Sequence, residues 1–284
     1  MHFQTVAIIG VGLIGGSIGL ALRKRKLAHR VVGIGRREEM LRKAEDRFAV
    51  TEVTTDVAKG VAEADLVVIC TPVDQVIPHV VLAAKACGPR TIITDAGSTK
   101  AAIVAGAEQA LAGGEGAWAS FVGSHPLAGS QRTGVEFARD DLFENRTAVV
   151  TPTDLTKPDA VKIVSEFWQA LGARVLQMSP DEHDQAVAVT SHLPHLVASV
   201  LAAATPVENL PLTGGGWQDS TRIAAGDAHL WQQILANNRV HTLNALTRFE
   251  TLLSEFRQAL ERNDGPRIAR LLAEGKRIRD ALGS

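Results

Sequence analysis

The stretch VAIIGVGLIGGSIGLALR, Val6 to Arg23, constrains the fold of this chain more than any other. An apolar run reads as a buried strand, an amphipathic run follows as a helix, and Gly10, Gly12 and Gly15 between them make the pattern G-x-G-x-x-G. The first glycine permits the tight turn, the second lets backbone approach a pyrophosphate, and the third lets helix pack on strand. The helix N-terminus then faces the phosphates, so Gly10, Gly12, Leu13, Ile14 and Gly15 are the candidate cofactor contacts. Read alone, the pattern also fits a glycine-rich turn that packs a helix and binds nothing.

The same rhythm continues to about Gln177. VVGI, ADLVVICT, TIITD, FVGS, TAVVT and ARVLQ read as buried strands, with amphipathic segments such as AVKIVSEFWQALG between several of them. This predicts an α/β Rossmann-type domain, parallel at least in its first part, with ligands beyond the carboxyl ends of its strands. After Pro180 the strands vanish, and HDQAVAVTSHLPHLVASVLAAA and the segments beyond it show helical spacing. We therefore expect residues 1–179 to form the dinucleotide-binding domain and residues 180–284 an all-α substrate and dimerisation domain, pairing with a second copy as a homodimer. Gly113-Gly114 and Gly214-Gly215-Gly216 read as turns.

Composition narrows the partners. A formal net charge of −1 offers no basic field for nucleic acid or an anionic membrane, which leaves a small molecule as the expected partner. Cys70 and Cys87 are the only cysteines, too few for a disulfide framework or a four-thiolate metal site, and they fit a reducing, cytoplasmic setting. No uninterrupted apolar stretch reaches about 18 residues, so no membrane span is expected.

The second strand bears on cofactor choice. NAD sites usually place an Asp or Glu at its end to hold the ribose 2′-hydroxyl, whereas this chain has Gly35 followed by Arg36 and Arg37. Guanidinium forks suit a 2′-phosphate, which favours NADP. Glu38 and Glu39 could neutralise these arginines and leave NAD usable. Thr71 and Pro72 follow the fourth strand, at the depth expected for a nicotinamide ribose, while Cys70 reads as core filling.

Two further strand ends carry reactive side chains. Ser98 of TDAGSTK sits at one, although Ser98 or Thr99 could simply cap the next helix. His125 of FVGSHPLAGS lies where a strand runs into small residues, with room for a ligand beside its ring; a hydrogen-bonded loop histidine is the alternative. His192 and His195 in SHLPHLV are helical neighbours, with Pro194 bending the helix; without a third ligand at suitable spacing they make a poor metal site.

In order, GVGLIGGS, DAGSTK, GSHPLAGS, EHDQAVAVTSHLPH and GGGWQDSTRIA resemble the prephenate/arogenate (cyclohexadienyl) dehydrogenase family of tyrosine biosynthesis, over nearly the whole chain. The resemblance implies oxidative decarboxylation: hydride leaves the ring carbon bearing the 4-hydroxyl for the nicotinamide, and carbon dioxide departs from the opposite carbon. It implies that His125 accepts the hydrogen bond of that hydroxyl, a task suited to a neutral imidazole with a pKa near the working pH. Ser98 would bond the same hydroxyl or orient the histidine. Arg222 would hold the ring carboxylate, where a bidentate guanidinium serves better than lysine. His195 would face the substrate pocket with His183 near it, Gly215, Asp219 and Trp231 would line it, and Ser130 would lie by the substrate's side chain. Neither a chorismate mutase activity nor a separate regulatory domain is expected of this chain, while tyrosine would compete through its likeness to product.

Two other readings stay open. A hydroxyacid dehydrogenase or pyrroline-carboxylate-type reductase would want a catalytic lysine in the helical half, where Lys276 is the only one after Pro180. A non-catalytic dinucleotide-sensing protein would not need His125 and Arg222 together.

Overall fold

The computed structural model describes residues 1–113, 119–130 and 132–283. In chain order, β1 (Phe3–Ile9), α1 (Leu13–Lys24), β2 (Ala28–Ile34), α2 (Glu38–Asp46) and β3 (Glu52–Thr54) make the first half of a doubly wound sheet. The chain then crosses through α3 (Val57–Val61) into β4 (Leu66–Ile69), α4 (Val73–Ala86), β5 (Ile92–Asp95), α5 (Ala101–Leu111) and β6 (Ser120–Pro126). The sheet is completed by β7 (Thr147–Thr151), α6 (Pro158–Ala170) and β8 (Arg174–Gln177). Helices follow: α7 (Pro180–Val187), α8 (Leu193–Ala203), α9 (Gly215–Thr221), α10 (Ala228–Asn237), α11 (Arg239–Glu261) and α12 (Gly265–Asp280).

The eight strands lie in the order β3-β2-β1-β4-β5-β6-β7-β8. All neighbours are parallel except β6 and β7, which run antiparallel. Strand order reverses between β1 and β4, the crevice where open α/β sheets bind ligands. β1, β4 and β5 are buried on both faces, hence their near-continuous apolar sequences. The short β3 was not legible as a strand, because its three half-buried residues show neither an apolar run nor clear alternation.

The site's floor is packed. Trp168 of α6 is fully buried, stacks edge-on against Phe143 and Phe167, and donates its indole N–H to Ser124 Oγ of β6 at 2.9 Å. β6 is longer than FVGS implied and includes Ser124, His125 and Pro126, since His125 pairs with Val149 of β7. The histidine expected in a loop is therefore fixed on a paired strand.

By packing, residues 1–238 form one compact unit and residues 239–284 a second. The change from alternation to helices falls at Pro180, but α7 to α10 belong to the first unit. Within the second, α11 and α12 are linked by Arg267 to Glu255, and Leu252, Leu253, Leu260, Leu272 and Ile278 are exposed. The triple glycine does not form a turn: Gly214 is the N-cap of α9 and Gly215 its first residue. Gly113 follows α5 with φ +76°, and Gly114 lies outside the described residues.

From Pro180 to Ala203 the backbone is continuously helical, with a π-helical turn at Ala188–His192 just before Pro194. This 24-residue segment has a window of mean hydropathy 1.5, which by length and composition alone would suffice to cross a membrane, as would a core helix. The uninterrupted-run criterion passed over it because histidines and an aspartate punctuate it. Those interruptions, His183, Asp184, His192 and His195, are all buried.

Candidate active site

The glycine loop leaves β1 with Gly10 at φ +96°, a conformation that side-chain-bearing residues rarely adopt, and a Cβ there would strike Cys70 O at 2.7 Å. A Cβ on Gly15 would lie 2.2 Å from Gly10 O, so α1 can approach the loop only because that position is bare. A Cβ on Gly12 would meet nothing within 4 Å. No side chain caps α1 and its first turn holds no acidic residue, so its N–H groups and positive dipole end are open to an anion. These features fit a dinucleotide pyrophosphate.

At the end of β2, the carboxylates that could have neutralised the arginines have other partners: Glu38 pairs with Arg42 at 2.7 Å and Glu39 with Lys43 at 2.9 Å, with Arg37 adding a lesser attraction to Glu39. Arg36 and Arg37 are exposed and make no ion pair among the described residues. At the end of β4, Thr71 is 3.3 Å from His79 Nδ1 and Pro72 is the N-cap of α4. Burial pushes the Cys70 thiol well above its ordinary range, with the Asp95 charge adding to it, consistent with core filling.

Beyond β5, Ser98 is half-buried and has no hydrogen-bond partner among the described residues. Neither it nor Thr99 caps α5. That duty falls to Asp184 of α7, whose carboxylate accepts Lys100 N–H at 2.7 Å and Ala101 N–H at 2.9 Å. The Lys100 side chain, fully buried, pairs with the fully buried Asp95 and donates to Ser124 O at 2.9 Å. Asp95 in turn accepts Gly97 N–H at 2.8 Å and Ser124 N–H at 3.0 Å. This ion pair ties the end of β5 to the β6 residue preceding His125.

His125 Nδ1 lies 2.9 Å from His183 Nε2, and His183 Nδ1 lies 2.8 Å from Asp184 Oδ1. His125 Nε2 has no protein partner among the described residues. Burial holds the His125 imidazole well below 6.5, with the nearby His183, Lys100 and His192 adding to it. This direction takes His125 away from a pKa near the working pH and favours the neutral ring. Asp184 runs the other way, since burial alone would raise it, but the bond from His183 and the two backbone N–H groups keep it below its ordinary value.

Beside this row, His192 is held by Asn238, whose side-chain amide donates to His192 Nδ1 at 3.1 Å and to Asp184 O at 2.7 Å. Burial lowers His192 to about 4. Trp231 stacks on His195 at 3.6 Å between centroids and meets His192 edge-on, making an aromatic wall. His195 Nδ1 is buried without a partner among the described residues. No metal-binding cluster occurs among the described residues.

Comparison with known proteins decides the family. The model of the prephenate dehydrogenase nucleotide-binding domain matches residues 18–177, and that of the prephenate dehydrogenase dimerization domain matches residues 179–274. The chain belongs to the prephenate dehydrogenase family. The prephenate dehydrogenase of Bacillus subtilis (strain 168) is 35% identical over 98% of this chain and 76% of its own length. The crystal structure of prephenate dehydrogenase from A. aeolicus, in complex with hydroxyphenyl propionate and NAD+, superposes with a TM-score of 0.89 at 31% identity, covering 99% of both chains. Arogenate dehydrogenase of Synechocystis gives 0.82 at 28% identity, covering 98% of this chain and 100% of its own.

For a member of the prephenate dehydrogenase family, the expected residues divide into two groups. The loop Gly10–Gly15, Gly35 to Arg37, Thr71–Pro72, Ser98 and His125 all follow or end parallel strands, and so share the carboxyl edge of the sheet. His183, His195 and Trp231 join His125 through the contacts above, although both nitrogens of His183 are taken by His125 and Asp184. Arg222, Asp219 and Gly215 are exposed on or beside α9; neither charged group forms an ion pair among the described residues, and α9 and the turn of Arg222 pack against α8, the helix that carries His195. Ser130 is exposed and accepts Arg132 N–H at 3.1 Å. Lys276, the lysine an imine-reducing enzyme would need, is an exposed helix residue paired with Asp280. Sequence reasoning missed Asp95, Lys100, Asp184 and Asn238. A charged residue ending the apolar run TIITD was the available signal for Asp95; the others needed the fold.

Proposed function

We propose that this chain is an NAD(P)-linked dehydrogenase of tyrosine biosynthesis that oxidatively decarboxylates prephenate and/or arogenate, with NADP the favoured acceptor. One observation carries the reading: a neutral His125 with a free Nε2 at the same sheet edge as the open glycine loop. When bound, the nicotinamide supplies a hydride acceptor. As the hydroxyl-bearing carbon is oxidised, its oxygen becomes carbonyl-like and sheds its proton to His125 Nε2. Ser98, half-buried and free of partners, is the second hydrogen bond to that oxygen. Arg222, exposed and unpaired, binds the ring carboxylate until it leaves, a positioning role that bidentate geometry serves. His195 and Trp231 form a wall of the substrate site, with Gly215, Asp219 and Ser130 at its margin. The exposed apolar side chains of α11 and α12 support a homodimer through the helical part, and the reading places the enzyme in the cytoplasm.

The test follows reduced-nucleotide absorbance while crossing prephenate and arogenate with NADP and NAD. Turnover in at least one combination is expected, fastest with NADP; absence in all four overturns the assignment. Replacing Arg36 and Arg37 by alanine is expected to weaken NADP by about 10- to 100-fold, the scale of a lost charged hydrogen bond, with little change for NAD. Equal losses for both nucleotides would remove the arginines from 2′-phosphate recognition.

A further inference from the structure

We propose that Asp184 and His183 are positioning residues that fix the tautomer of His125 and share the charge it acquires. The inference rests on the proposed reaction but is decided by the protein's own protons. Asp184 accepts three N–H groups, those of Lys100, Ala101 and His183 Nδ1. An ionised carboxylate can only accept, so the proton in the Asp184–His183 bond sits on His183 Nδ1. With that proton its only one, His183 presents a bare Nε2 to His125, and the 2.9 Å bond between the rings is then donated by His125 Nδ1. This leaves the lone pair of His125 on Nε2, the nitrogen without a protein partner.

The row therefore aims a base outward. When the substrate's O–H bond breaks, its electron pair stays on oxygen and the proton bonds to Nε2. The Nδ1 proton then moves along the inter-ring bond to His183 Nε2. Positive charge ends one ring farther in, on an imidazolium whose Nδ1–H meets the Asp184 carboxylate. Without this partner, a half-buried imidazole beside the Lys100 ammonium and the His192 ring would be a poor proton acceptor. These groups and His183 are the titratable neighbours the structure sets around His125, with Asp95 facing it only through Lys100.

The arrangement also explains the tight burial of His183, 1% exposed, and the double use of Asp184. By capping α5 with the same carboxylate, the fold locks the inner end of the row to the helix that follows Ser98. Asp184→Asn should weaken the row: the oxygen that faces His183 also accepts Lys100 N–H, so an amide nitrogen there would oppose that N–H, and in the other orientation the amide nitrogen opposes Ala101 N–H and the neutral oxygen no longer holds the charge on His183.

The deciding measurement is proton-detected nitrogen NMR of the full-length protein labelled with 15N-histidine, without substrate, at pH 7.5. His125 is identified as the ring whose signals vanish in His125→Asn. We expect a protonated Nδ1 and a bare Nε2 in the wild type, with turnover of Asp184→Asn falling about 100- to 10,000-fold, the range known for a wrong tautomer or a lost base. His183→Gln, whose side-chain oxygen can still accept from Nδ1 but cannot take a proton, should keep the wild-type tautomer and lose less than His183→Leu. An Nε2–H tautomer in the wild type overturns the proposal, as would Asp184→Asn and His183→Leu both turning over within threefold of wild type. The tautomer is read without catalysis. An inverted tautomer in an active enzyme rejects the relay alone, whereas absence of turnover with both substrates rejects the proposed reaction.

Discussion

His125→Asn is expected to lower turnover by at least about 100-fold, and as far as about 10,000-fold, while nucleotide affinity stays within a factor of about two. Asparagine can still bond to His183, so the strand and the histidine row persist, but an amide accepts no proton. The glycine loop is untouched, because Gly10 to Gly15 owe their conformation to β1, β4 and α1 and not to β6. Steady-state rates and a fluorescence titration with reduced nucleotide separate the two effects. Rates within threefold of wild type would remove His125 from the chemistry, and a parallel loss of nucleotide binding would mean the variant disturbs the fold.

The second large effect concerns stability. Lys100 and Asp95 are both fully excluded from solvent and satisfy each other, so removing either leaves a buried charge uncompensated. Such losses cost about 3–5 kcal/mol. Asp95→Ala should be the worse of the two singles, because Gly97 N–H and Ser124 N–H lose their acceptor along with Lys100. Lys100→Met with Asp95→Ala should be less destabilised than the sum of its parts, since no charge is stranded. Urea midpoints of the four proteins measure this. Simple additivity would mean the pair is not a unit. Where Lys100→Met folds, it should also raise the pKa of His125, because the ammonium is one of the charges that depress it.

Much of the fold was legible because its signals are local. The apolar runs of β1, β4 and β5 and the glycines after β1 each declare themselves within a dozen residues, and the loss of strands after Pro180 is plain. The division by packing falls elsewhere, since α7 touches α5 and β7, α10 touches α4, and α8 and α9 pack with each other, contacts that no local pattern encodes. At the site, His125 and His183 could be singled out through family motifs, but not the bond between their rings, which joins positions 58 apart. Asp184 is one of three acidic residues in PDEHD with no local mark to set it apart, and it is Glu182 that fills the capping-box role with Ser179. Its true partners, the amides of Lys100 and Ala101, lie 84 and 83 residues away. The pKa of His125 escaped for a related reason: burial and the approach of Lys100 and His192 are tertiary facts, and they move an ordinary imidazole well below 6.5.

The central claim is that a neutral His125 receives the substrate's hydroxyl proton, and the pH dependence of kcat/KM tests it most directly. Protonating the free enzyme's His125 fills Nε2 and abolishes acceptance, so kcat/KM should be level through neutral pH and fall tenfold per unit on the acid side. Because burial lowers the folded pKa, the midpoint of that limb should lie below 6.5, and activity should return when the sample is brought back to pH 7. The limb should disappear from the residual rate of His125→Asn. A midpoint at or above 6.5 in the wild type, or the same limb persisting in His125→Asn, would contradict the account.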